Sequence, residues 1–145
     1  MDDLVVPDIA EALVGWRSWG LARTPEGIRI VSHGSAIWPA GGALRATCEA
    51  GKRHDSPARE CRCGIYALLD HEGFPYYEYD GPAYAVFGSV YLWGEVIRGT
   101  KGFRAQYAYP KALSVAHRDW RYAQPLREAY RVPVALRNPF SEEVN

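Results

Sequence analysis

At 145 residues, 48% hydrophobic and 23% charged, the chain has the size and composition of one globular domain, which excludes a wholly disordered polymer. No window holds 18 consecutive apolar residues, and the opening Met1-Asp2-Asp3 is acidic where a signal peptide would be basic. The expectation is a cytoplasmic protein that does not enter a membrane. Lys/Arg and Asp/Glu balance at 17 each but are unevenly spread: residues 1–97 carry 8 against 13, and residues 98–137 carry 9 against 2.

In chain order, residues 1–15 read as a lead-in. Pro7 to Gly15 carries the punctuation of a short helix, with an early proline, acidic residues in the first turn and a closing glycine. Trp16–Ala22 and Ile28–Ser32 flank Thr24-Pro25-Glu26-Gly27, whose turn chemistry predicts a β-hairpin. Trp38–Gly42 is a breaker cluster leading through Ala43–Thr47 to the first cysteine.

Cys48 to Gly64 holds all three cysteines and one of the four histidines in the pattern Cys-x5-His-x6-Cys-x-Cys-Gly. Three thiolates and an imidazole form the complement of a closed tetrahedral zinc site. Three cysteines in a reducing compartment favour ligation over a disulfide framework. The surrounding segment is rich in Lys, Arg, Asp and Glu, so no apolar contact would otherwise order it. A structural Zn2+ on Cys48, His54, Cys61 and Cys63 would supply that order, on the order of 10 kcal/mol. An iron–sulfur cluster is the alternative for the same donors, and inert packing cysteines fit such a polar stretch poorly. Catalysis at the metal is disfavoured: Glu49 and Glu60 are nearby carboxylates, but four local donors close the coordination shell, and the deaminase pattern of His-x-Glu with Cys-x-x-Cys is missing.

Ile65–Asp70 is an apolar run that fits a short helix or a strand. Asp70–Pro82 is an acidic, aromatic loop in which Asp70, Glu72, Glu78 and Asp80 offer carboxylates to a third reading, an enzyme. Tyr84–Ile97 and Phe103–Tyr109, joined by Arg98–Gly102, form the strongest β signal. Gly88 and Gly94 mark a bulge or bend that would curl the sheet, and Pro110 marks the end of the second strand. Beyond it, Leu126–Arg131 reads as a short helix, Val132–Leu136 as extended, and Ser141 onward as a mobile tail.

No phosphate loop, Gly-x-Ser-x-Gly or His-Glu-x-x-His is present. His33, His71 and His117 are scattered. Trp16, Trp19, Trp38 and Trp93 fit either an aromatic cage or a small barrel core. Trp16 and Trp19 cannot share one face of a regular strand, so one of them is a candidate for exposure. Trp16 and Trp19, together with Arg98, Lys101, Arg104, Arg118 and Arg121 interleaved with Trp120 and Tyr122, form a candidate binding surface. Nucleic acid would use such cations and stacking rings; an acidic protein face, including that of a second copy in a homo-oligomer, would use the cations alone.

The segments Trp16–Trp19, Cys48–Ala67, Gly88–Val96 and Gly102–Pro110 together resemble a recurring family of small uncharacterised bacterial proteins. The resemblance spans about residues 14–113 and implies one metal-stapled domain, without a reaction. The expected fold is mainly β, or α+β: two hairpins forming a curved sheet or partial barrel, clipped by the zinc loop. The expected organisation is a lead-in (1–15), a zinc-stapled β domain (16–115) and a basic extension (116–145). The expected role is a non-catalytic binding or regulatory module acting through a protein partner.

Overall fold

The computed structural model describes residues 12–32, 36–48, 54–71 and 84–137. The architecture is mostly β. β1 (Leu13–Thr24) turns through Pro25-Glu26 into β2 (Gly27–Val31), and Gly27 adopts φ +124, a conformation suited to glycine. β3 (Leu44–Arg45) and β4 (Ile65–Leu68) are short. β5 (Val86–Arg98) and β6 (Gly102–Ala116) form the long central hairpin. A 3-10 segment (His117–Tyr122), α1 (Ala123–Tyr130) and β7 (Val134–Arg137) complete the described chain. Among the described residues no helix is long and apolar enough to cross a membrane.

β6 organises the sheet. Along one edge it pairs throughout with β5; its remaining pairing goes to three short strands, β4 at residues 102–105, β3 at 107–108 and the parallel β7 at 113–116. β5 pairs in turn with the first half of β1, and Trp16 of β1 reaches Leu68 of β4. Hydrogen bonds thus ring through β1, β5, β6 and β4, giving a curved sheet that does not form a barrel. The ring closes where Gly15 lies against β4: a Cβ there would sit 2.6 Å from the Ala67 Cβ.

Several expectations are revised. Leu13, Val14 and Gly15 are strand, where a helix end was expected, because β5 extends far enough to pair with them; the rest of that helix lies outside the described residues. Ile65–Leu68 is strand. Gly94 (φ +79) is the expected bulge: Gly94 and Glu95 oppose Gln106 alone, and the Gln106 Oε1 accepts the Glu95 N–H at 3.0 Å. Gly88 instead permits close approach, since a Cβ there would lie 2.1 Å from the Ala112 carbonyl oxygen. Pro110 does not end β6. It pairs with Val90 at a second register shift, where the lost N–H is tolerated, and the strand continues to Ala116.

The buried hydrophobic residues among those described form one cluster. Trp19 and Trp38 meet edge to face at 5.4 Å, beside Ile30, Val86, Val90, Leu92, Ala105, Ala108 and Val115. Leu126, Tyr130 and Val134 of the basic stretch belong to this same core. Tyr130 pins α1 to the sheet: its hydroxyl accepts the Ile30 N–H (2.9 Å) and donates to the Trp38 carbonyl (2.7 Å). The Tyr109 hydroxyl similarly accepts from Gly41 N and donates to the Tyr130 carbonyl. Burial pushes both phenols up, so each remains a neutral donor.

Candidate metal centre

The cysteine segment is an excursion from a single line of β pairing. Arg45 pairs with Tyr107, the Ala46 N–H donates to the Gln106 carbonyl at 2.8 Å, and Ile65 pairs with Ala105. The chain therefore leaves β6 after residue 46 and returns at residue 65 to the next position along the same strand. Both arms of the loop are fixed by one rigid platform, which is what a metal site needs to hold its donors in place.

The four sequence-predicted ligands are brought together. One donor atom from each of Cys48, His54, Cys61 and Cys63 lies within 4.8 Å of all the others. The Cys48 and Cys61 Sγ atoms are 3.6 Å apart, and the Cys63 Sγ is 3.9 Å from the His54 Nε2. Zn–S bonds of about 2.3 Å and Zn–N bonds of about 2.0–2.1 Å in a tetrahedron imply donor separations of roughly 3.5–3.8 Å. These two pairs fall close to that range, and the four donors together could hold a metal ion. His54 Nδ1 donates to the Asp55 carbonyl at 2.7 Å, which fixes the tautomer and leaves Nε2 as the lone-pair nitrogen facing the thiols.

The thiols are not equivalent. For Cys61, a hydrogen bond with the Cys63 backbone pulls the thiol pKa down, but the Cys48 thiol and burial push it up and prevail. For Cys63, burial pushes up, yet the Ser56 hydroxyl and the Cys61 thiol pull it down and prevail. The Ser56 hydroxyl is buried without a hydrogen-bond partner of ordinary geometry, and its influence falls on the Cys63 sulfur, a soft acceptor. The backbone hydrogen bond to Asp55 raises the His54 pKa.

Arg104 braces the knuckle. From β6 its Nη1 donates to the carbonyls of Ala58 (3.2 Å), Cys63 (2.9 Å) and Cys61. A divalent ion with three thiolates and a neutral imidazole would carry a net charge of −1, and the guanidinium is bonded to the backbone of the loop that would hold it. Arg104 is thus a structural cation committed to this loop, where the sequence placed it on an open binding surface. Gly64 takes φ +127, and a Cβ there would press on the Arg104 Cβ (3.0 Å) and the Pro57 Cβ (3.1 Å).

The other candidate residues are dispersed. Trp19 is fully buried and is removed from the binding surface, because its face of β1 packs on Trp38. Trp16, on the opposite face, is partly exposed and packs against His71 (4.8 Å) and Phe87 (6.5 Å). Trp93 stacks on Tyr107 at 5.9 Å, so the four tryptophans do not build one cage. Arg98 and Lys101 sit at one end of the β5–β6 hairpin, and Arg118, Trp120, Arg121 and Tyr122 follow its other end. The 13 residues of β5 separate them by about 40 Å of strand. Of the candidate carboxylates Asp70, Glu72, Glu78 and Asp80, only Asp70 falls within the described residues, and it is exposed. Glu60 is also exposed, and Glu49 lies outside the described residues.

Sequence reading missed Arg17. It is the second residue of Trp16-Arg17-Ser18-Trp19, and its guanidinium carbon lies 5.5 Å from the Trp19 ring and 5.1 Å from the Trp38 ring. The available signal was its place between two tryptophans on a strand. Comparison with protein-family models, curated proteins and solved structures finds no match.

Proposed function

We propose that this protein is a non-catalytic binding module whose sheet is stapled by a structural zinc ion and which acts through a protein partner. The observation that carries the reading is the closed donor set: three sulfurs and one imidazole nitrogen, all within 4.8 Å of one another and all from one short segment. Such a set leaves no coordination position for water or substrate. The separations favour one ion over an iron–sulfur cluster, which would spread its ligands over several irons. Three ligating thiols also require a compartment where they remain reduced, which supports a cytoplasmic location.

The surface offered to a partner is the 3-10 segment. Trp120 is 58% exposed and stands between Arg118 and Arg121 beside Tyr122, the residue types that dominate protein–protein hot spots. The separation of these cations from Arg98 and Lys101 argues against a continuous nucleic-acid groove.

The test is metal analysis of the full chain. About one zinc per chain is expected, falling to a small fraction of that in Cys61→Ser. Wild-type protein that retains no metal, or visible charge-transfer bands of an iron cluster, would refute the staple. Titration with single- and double-stranded DNA at low salt should be flat; salt-sensitive binding would replace the protein partner with nucleic acid.

A further inference from the structure

A cleft of about 450 Å³ opens between the metal loop and β1–β2. Leu44 and Ile65 give it apolar lining, the knuckle of Cys48, Cys61 and Cys63 forms one wall, and Arg17, Arg45 and Arg62 reach into its lining. Its volume is within the range of small-ligand sites.

Arg17 is the unusual member. Its Nε donates to the Ser18 carbonyl (3.2 Å), one Nη1 N–H to the Tyr66 carbonyl (3.0 Å), and one Nη2 N–H to the Ser32 Oγ (3.3 Å). A guanidinium has five N–H donors. One therefore remains on each terminal nitrogen, and among the described residues no carboxylate faces the group. Burial lowers its pKa to about 10, with no acidic neighbour to oppose that shift. A partly buried cation without a counter-ion is costly, and an incoming anion offsets that cost. Arg62 sits between two ligands of the knuckle and Arg104 braces it, so the charge of the metal centre already has cations beside it. Among the described residues Arg45 reaches only the exposed Asp55, at 4.0 Å.

We infer that this cleft binds a small organic oxyanion, a carboxylate or phosphate on an apolar body, with Arg17 gripping the anionic head and Arg45 and Arg62 guiding it in. The two free N–H groups of Arg17 suit two oxygens of one head group, and Leu44 and Ile65 receive the body. The inference rests on the proposed reading in one respect, since the stapled knuckle is a wall of the cleft.

The experiment uses the indoles beside Arg17 as reporters. The zinc-loaded chain is titrated with benzoate, phenyl phosphate and neutral benzyl alcohol while tryptophan emission is followed. Saturable changes are expected with one or both anions, the tighter of the two identifying the head group, and none with benzyl alcohol. Arg17→Gln should weaken anion binding about 10-fold or more, given the strength of charge-assisted hydrogen bonds. Should that variant fail to fold, the double variant Arg45→Gln/Arg62→Gln changes only exposed side chains and should weaken binding about 3-fold or more, with the loss mimicked by salt in the wild type. Flat titrations with both anions, an equal response to benzyl alcohol, or unchanged affinity in the folded arginine variants would overturn the inference. Zinc content measured on the same samples separates the outcomes. Loaded protein that ignores both anions refutes the cleft alone, whereas zinc-free wild type refutes the staple.

Discussion

At the scale of single residues, the loop that carries the four candidate ligands depends on two positions that are not among them. Gly64 combines φ +127 with neighbours at 3.0 and 3.1 Å, so Gly64→Ala meets both backbone strain and a steric clash. We expect a loss of about 1–3 kcal/mol in chemical denaturation of the zinc-loaded protein, and weaker zinc retention against a chelator. Arg104→Met keeps the volume of the stem but leaves the carbonyls of Ala58, Cys61 and Cys63 without their shared donor. Hydrogen bonds to a charged group contribute about 1.5–3 kcal/mol. The variant should lose at least that much stability and release zinc faster in a competition assay, with all four ligands still present. An unchanged release rate would show that the knuckle stands without this support.

At the scale of elements, β6 both carries the loop and receives α1. The hydroxyl of Tyr130 is one of the bonds between helix and sheet, serving the Ile30 N–H and the Trp38 carbonyl together. Tyr130→Phe preserves the ring packing and leaves both buried groups unpaired. A cost of about 1–3 kcal/mol is expected by thermal or denaturant unfolding. The hairpins and the ligand set were legible in the sequence, since turn chemistry at Pro25–Gly27, β-branched density in residues 84–97 and soft-ligand spacing are local signals. What was not legible depends on partners distant in sequence. Pro110 reads as a strand end because its missing N–H is a local fact, whereas the register shift opposite Val90 that absorbs it belongs to the pairing. Trp19 and Arg104 read as surface residues for the same reason. Nothing nearby in sequence announces Trp38 packing on one, or the knuckle carbonyls accepting from the other.

At the scale of the whole molecule, the ring of strands divides stability unevenly. β5 and β6 pair over eleven positions, whereas β4 holds β1 through Trp16 and Leu68 and is continuous with the metal knuckle. Removing the proposed zinc with a chelator should therefore expose the amides of Ile65–Leu68 to hydrogen exchange while those at the centre of β5–β6 stay protected. Uniform loss of protection would mean that the staple and the core unfold as one unit. The reach of Arg104 also bears on biosynthesis. It lies 41 residues beyond Cys63, the nearest of the ligands it supports. At about 5–20 residues per second, the ribosome makes the last ligand roughly 2–8 s before it makes the brace. The four candidate ligands are thus complete in the nascent chain before the residue that shapes their loop. Assembly of the knuckle is thereby tied to synthesis of the central hairpin, and a chain cut short before residue 104 would carry every ligand and no brace.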